Sequence, residues 1–212
     1  MTGSPVTDAA AAVREGGLIV FPTDTVYGIG TRPDSAEATS RLFEAKRRPR
    51  DLELPVLAAT EEALRGIAEF DNRADHLAAE CWPGPLTLIL SRTPLSIGWE
   101  LGGDPGTIGV RVPKHPLAVA VLAVTGPMAV TSANRSGELP AVGCDDLERA
   151  FGDLVSVYLC QDSPLEGPAS TVVDLTRDPA RVVRLGALAY DTVARSMPAG
   201  ESLLHSRPLA GK

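Results

Sequence analysis

The sequence predicts an α/β fold, and three observations carry that expectation. Short apolar runs of strand length alternate with stretches that open on Ser, Thr or Asp and close on Gly or Pro, as helices do. The chain of 212 residues is 44% apolar but only 4% aromatic, so its core is built from Val, Leu, Ile and Ala. Small polar residues recur where the apolar runs stop, which is where ligands gather in open α/β sheets. The length suits one domain with a sizeable core. That domain is expected to span residues 1–196, with 197–212, rich in small and polar residues, as a flexible tail.

Residues 5–15 read as a helix: Pro5 fits a first turn, the alanine run favours helix, and Gly16-Gly17 stop it. Leu18 to Phe21 is a buried strand that Pro22 is expected to end. Thr23-Asp24-Thr25 follows, then Tyr27-Gly28-Ile29-Gly30, read as a glycine-rich turn. Asp34 or Ser35 caps a second helix that runs to about Arg47, with Leu42 and Phe43 facing inward. Leu54 to Ala59 is the next strand. Thr60-Glu61-Glu62 opens another helix, and residues 72–82 form one more. Trp82-Pro83-Gly84-Pro85 is a rigid turn into the strand Leu86 to Ser91, and residues 92–105, with several Gly and Pro, read as a flexible loop. Thr107 to Pro113 is a strand, 115–124 a helix, and Met128 to Thr131 a strand that runs into the polar turn Thr131 to Gly137. A short helix near 145–151, a strand from Leu154 to Leu159, the loop 161–169, and strands Ser170 to Leu175 and Arg181 to Leu185 complete the order.

Composition excludes several classes. No apolar run approaches membrane-spanning length, so no membrane association is expected. The N-terminus lacks the basic and apolar regions of a secretion signal. Cys81, Cys144 and Cys160 are isolated in sequence and odd in number, and read as buried thiols in a reducing cytoplasm. With three scattered histidines, no metal site is expected. A net charge of −7 disfavours broad nonspecific nucleic-acid binding and leaves room for a local basic groove.

Two features point to a ligand. Lys46-Arg47-Arg48-Pro49-Arg50 can neutralise phosphate, an arginine fork binding two oxygens at once. Cations at a helix C-terminus also simply complement its dipole in water. Arg111 stands alone in an apolar strand and needs a partner: a structural carboxylate, or the carboxylate or phosphate of a ligand. Polar patches at Thr23 to Thr25, Ser132 to Asn134 and Ser170-Thr171, with Lys46, Arg48, Arg111 and Arg184, converge in one cleft if their strands share a sheet. Such a cleft has hydroxyl donors and cations but no nucleophile–base pair and no metal cage. It suits an anionic ligand such as a nucleotide, with catalysis by positioning and charge stabilisation.

The blocks FPTDTVYGIG, LFEAKRRP, WPGPLTLIL, TIGVRVPKHP, TSANRSG, STVVDL and VVRLG, in that order over about residues 10–190, resemble the YrdC-like family of threonylcarbamoyl-AMP synthases. The resemblance implies a twisted, mixed parallel and antiparallel sheet flanked by helices around a deep basic cavity. It implies L-threonine, bicarbonate or carbon dioxide, and ATP as substrates, magnesium accompanying ATP, and threonylcarbamoyl-AMP and pyrophosphate as products. A tRNA-modifying transferase complex is the implied partner, with a tRNA contact. By matched motif, Thr25, Arg111, Val130 and Ser170 contact threonine, and Arg48, Thr107, Ser132, Asn134 and Arg184 contact ATP. Lys46 and Arg48 are the candidate catalytic residues, with Arg184 beside them, stabilising charge on phosphate oxygens. The chain departs from the family pattern at Leu52 and Leu57, where polar threonine-binding residues are usual, at Ala169, and at Leu185. It also lacks the C-terminal domain of the longer members and resembles the short type. Two other readings stand: a module binding double-stranded RNA or tRNA, and a paralogue that handles a different carbamoyl-adenylate. Arg48→Ala and Arg111→Ala are both expected to lose activity and remain folded.

Overall fold

Among the described residues ten strands join in one sheet, and alternation along them sorts their side chains onto two unequal faces. The computed structural model describes residues 4–205. Helix α1 (Pro5–Arg14) is capped by Ser4, whose Oγ accepts the Thr7 N–H. Strands β1 (Ile19–Pro22) and β2 (Tyr27–Thr31) pair antiparallel. Helix α2 (Ala36–Lys46), with Ser35 as its cap, leads to β3 (Val56–Leu57), α3 (Glu61–Arg65) and α4 (Asn72–Cys81). Next come β4 (Leu86–Ser91), β5 (Thr107–Arg111), α5 (Pro116–Thr125) and β6 (Met128–Ser132). Helix α6 (Cys144–Phe151) precedes β7 (Val157–Tyr158), β8 (Thr171–Asp174), β9 (Ala180–Arg184), α7 (Tyr190–Arg195) and β10 (Leu203–His205). The strand order is β10-β9-β8-β4-β5-β3-β6-β2-β1-β7. Four parallel pairs (β1 with β7, β3 with β5, β4 with β8, β9 with β10) are interspersed among five antiparallel ones, so the expected α/β class with a mixed sheet is what the chain adopts.

One face carries Val20, Tyr27, Ile29, Val56, Leu86, Leu88, Ile108, Val110 and Ala129 and packs on α2, α3, α4, α6 and α7. The other face carries Ile19, Phe21, Leu57, Met128 and Val130, against Ala9 and Val13 of α1 and Ala118, Val121 and Leu122 of α5. These two helices cover β1, β6 and their neighbours. Beyond Leu57 of β3, which borders both these helices and the cleft, the same face of β5, β4, β8 and β9 carries no helix among the described residues, and the cleft forms there.

Several elements differ from expectation for identifiable reasons. Tyr27 to Gly30 is strand, not turn. Its two glycines answer to close packing: a Cβ on Gly28 would come 2.8 Å from Val130 Cγ1, and one on Gly30 would meet Ala129 O at 2.7 Å. Pro22 stays in β1, opposite Tyr27. Residues 92–105 form a packed loop. Arg92 Nε donates to Thr107 O (2.6 Å), its Nη1 donates to Ser96 O and Trp99 O, and Leu101 is buried. Cys144 and Cys160 are not thiols but a disulfide, with Cα atoms 5.8 Å apart, because α6 and the end of β7 meet; Cys81 is free. The expected strand 154–159 shortens to two residues, and 54–59 likewise. Within the expected tail, Leu203–His205 adds an edge strand beside Ala180–Val182; residues 206–212 lie outside the described residues.

Gly30→Ala is expected to lower stability by about 1–3 kcal/mol, the cost of overpacking against a main-chain atom. Urea unfolding of the two proteins measures it.

Candidate functional site

The strand register builds the cleft. Leu57 of β3 pairs with Arg111 of β5, and Leu88 with Val110, which sets Thr87 of β4 beside Arg111. Thr87 pairs with Val172 of β8, and Val172 with Arg184 of β9. Cross-strand neighbours share a face, so a row from Leu57 through Arg111 and Thr87 to Arg184 crosses the uncovered part of the sheet. Thr23, Thr25, Val26, Gly28, Arg48, Pro55, Val130, Thr131, Ser132, Ala169 and Ser170 complete the lining. The cavity volume is about 130 Å³, below the ~300–1,000 Å³ of an ordinary small-molecule site. The site lies across a sheet face rather than along a row of strand ends. Antiparallel neighbours send their carboxyl ends to opposite edges, so no common edge exists.

Arg111 anchors it. The guanidinium is buried, with Nε donating to Gly84 O (3.0 Å), Nη1 to Thr25 Oγ1 (3.0 Å) and Nη2 to Asp24 Oδ1 (2.7 Å). Asp24 Oδ1 also accepts the Lys114 N–H, while Oδ2 is buried without a hydrogen-bond partner. The partner that the sequence left open is therefore Asp24. Two of the five N–H donors of Arg111 remain uncommitted. Burial holds its pKa below the usual range, and Asp24 opposes that shift.

Two more guanidiniums stand nearby, each held by neutral oxygens. Arg48 donates from Nε to Leu52 O (3.1 Å) and from Nη2 to Glu53 O (2.8 Å). Arg184 donates from Nε and Nη2 to Ser170 O and from Nη2 to Ser170 Oγ (3.1 Å). Burial lowers both pKa values, and the Arg184 charge lowers that of Arg48 further. Three cations share a lining that contains no carboxylate. The hydroxyls form short chains. Thr25 Oγ1 bonds Thr23 Oγ1, which donates to Val26 O, and Thr87 Oγ1 bonds Ser170 Oγ.

Of the predicted site residues, Thr25, Arg48, Arg111, Val130, Ser132, Ser170 and Arg184 line this cleft, and three do not. Lys46 is 1% exposed, and its Nζ donates to Ser132 O, Asn134 O (2.6 Å) and Asn134 Oδ1 (3.2 Å). It pins the turn after β6 instead of facing the cavity. Burial, then the Arg48 charge, pushes its pKa down to about 7. Asn134 is spent in the same turn, accepting from Ser132 Oγ and donating to Arg135 O and Glu138 O. Thr107 opens β5, on the same face as Arg111 but four residues away, roughly 13 Å along the strand. Leu57 is part of the wall, whereas Leu52 is exposed and outside it. Thr87 and Pro55 were missed. A threonine or proline beside an apolar run has no signal of its own until register sets it beside a cation.

The sequence model of the Sua5/YciO/YrdC family, whose description is telomere recombination, matches residues 11–186, a span that contains every lining residue. The chain belongs to the Sua5/YciO/YrdC family. A relative from Mycobacterium tuberculosis is 38% identical over 190 residues, 89% of this chain and 87% of that one. The threonylcarbamoyl-AMP synthase of Chromohalobacter salexigens is 36% identical over 182 residues, 82% of this chain and 94% of that one. The crystal structure of Pyrococcus abyssi Sua5 complexed with L-threonine superposes with a TM-score of 0.84 at 33% identity, covering 94% of this chain. This Sua5/YciO/YrdC chain spans 58% of that protein's length.

Arg111 is structural as well as basic, so an Arg111→Ala protein that remains folded is expected to do so with less stability than the parent. Its loss leaves Asp24 half-buried without its cationic partner, at up to about 3–5 kcal/mol, the cost for a fully buried pair. A large fall in Tm is expected for Arg111→Ala and a smaller one for Arg48→Ala, measured by calorimetry.

Glu53 lies behind Arg48, 3.9 Å from Arg92, with Oε1 lacking a hydrogen bond. Burial raises its pKa from 4.5 to about 8, with Asp104 and Asp174 adding to the shift and Arg92 opposing it. The folded state thus keeps a proton that the unfolded state loses. Stability is expected to fall as pH rises from about 4.5 to about 8. In Glu53→Gln that slope flattens, as denaturant melts across this pH range will show.

Proposed function

We propose that this chain is an L-threonylcarbamoyladenylate synthase, making threonylcarbamoyl-AMP and pyrophosphate from L-threonine, bicarbonate or carbon dioxide, and ATP. The observation that carries the reading is the meeting of Arg48, Arg111 and Arg184 with the hydroxyls of Thr25, Ser132 and Ser170 in a cleft lined by no carboxylate. Such a lining binds anions and holds its charge in place before reaction. Sequence identity to the Chromohalobacter salexigens synthase and structural likeness to the threonine-bound Sua5 support the same reading.

In this reading the cavity of about 130 Å³ seats the amino acid. Its carboxylate meets Arg111 and the hydroxyls of Thr25 and Ser170, and Val130 borders its side chain. Threonine's amine adds to carbon dioxide and loses a proton, giving a carbamate. A carbamate oxygen attacks the α-phosphorus of ATP, and pyrophosphate leaves with the bond electrons. Arg48 and Arg184 stabilise charge on the phosphate oxygens, and Ser132 borders the nucleotide. The nucleotide extends beyond the cavity over the open sheet face, on which Thr107 stands. Lys46 and Asn134 act by holding the turn that carries Ser132.

Magnesium comes with ATP as counter-ion to its phosphates. The lining offers no carboxylate to hold it, and among the described residues no group of three or more His, Cys, Asp or Glu is placed to bind a metal. The product passes to a tRNA-modifying transferase complex in the cytoplasm. A second reading, a synthase of another carbamoyl-adenylate, is favoured by Leu57, which makes a wall apolar where a polar contact to threonine is usual.

Pyrophosphate release from ATP and bicarbonate is expected to depend on L-threonine and to fall sharply in Arg48→Ala. Release driven by a different amino acid would establish the second reading. Release with none would remove both.

A further inference from the structure

Thr87 has no role in the reading above, yet it stands in the cleft beside Arg111. It is buried on β4, and its Cγ2 lies 3.6 Å from where a Cβ on Gly109 would be, so β5 leaves room for it. Its hydroxyl has one hydrogen-bond partner among the described residues, Ser170 Oγ at 2.8 Å. Ser170 Oγ also accepts from Arg184 Nη2 at 3.1 Å.

A hydroxyl carries one proton and accepts two. Arg184 fills one acceptor position of Ser170. When Thr87 donates into the other, Ser170's own proton has nowhere to go but the cleft. Accepting two hydrogen bonds, one of them from a cation, also polarises Ser170 and makes its O–H a stronger donor. In the opposite orientation Ser170 donates to Thr87 and offers the ligand only a lone pair, a poor match for a carboxylate.

We propose that Thr87 is a positioning residue that holds Ser170 as a hydrogen-bond donor toward the carboxylate of the amino-acid substrate. The proposal rests on the synthase reading and deepens it by adding a residue to its amino-acid side.

The test is pyrophosphate-release kinetics with threonine and ATP varied in turn, for the parent, Thr87→Val, Thr87→Ser, Ser170→Ala and the double variant Thr87→Val/Ser170→Ala. Thr87→Val keeps the shape and deletes the hydroxyl. The threonine KM is expected to rise about tenfold, the size of one neutral hydrogen bond, with kcat and the ATP KM unchanged. Thr87→Ser is expected to restore the parent KM. The double variant is expected to be no worse than Ser170→Ala, because Thr87 acts only through Ser170. Thr87→Ala replaces Thr87→Val throughout if the latter does not fold. An unchanged threonine KM in Thr87→Val, independent multiplication of the two effects, or a Thr87→Ser as poor as Thr87→Val would each overturn the proposal. A parent protein without threonine-dependent release would instead bring down the synthase reading, and this proposal with it.

Discussion

A guanidinium in the middle of a sheet sets the terms for everything around it. Arg111 interrupts an otherwise apolar strand and is tolerated because two segments turn three polar atoms toward it: Asp24 and Thr25 from the β1–β2 connection, and Gly84 from the turn before β4. These segments are far apart in sequence, and one side chain fixes their relative positions. The same three contacts make one edge of the cleft. Stability and site geometry therefore share a cause here, and a change in one carries into the other.

Arg48 and Arg184 follow a different rule. Their acceptors are main-chain carbonyls and a hydroxyl, not carboxylates. Neutral acceptors orient a cation without cancelling it, so the positive charge remains available to a ligand. Burial disfavours that charge on both groups, and at Arg48 the Arg184 charge adds to it. An arriving anion relieves both. The mixed sheet makes this arrangement feasible. In a parallel sheet the helices cover both faces and the ligand is left the strand ends. Here α1 and α5 cover only part of one face, and side chains from the middle of strands line the cleft.

Legibility in the sequence followed physical type. Apolar runs marked every strand of four residues or more except β2, where Gly28 and Gly30 imitate a turn while serving close packing. Cations and hydroxyls in short motifs marked most of the lining, because charge beside an apolar run is conspicuous. Lys46, expected in the cleft for that very reason, does not face it. Its charge was visible, but the three oxygens that absorb it come from a turn some ninety residues on and appear only in three dimensions. Thr87 was missed by the converse: an uncharged residue inside a strand reveals itself only through register. The Cys144–Cys160 pair escaped notice because spacing alone says nothing of which loops meet.

The two glycines of β2 have unequal evolutionary prospects. A side chain at position 28 would collide with the tip of Val130, which a smaller residue there could accommodate. One at position 30 would also collide with the carbonyl oxygen of Ala129, which no substitution can remove. Position 28 and Val130 can therefore drift as a coupled pair, reshaping the cleft wall as they go. Position 30 has no such partner, and lineages carrying this strand pairing are confined to glycine there.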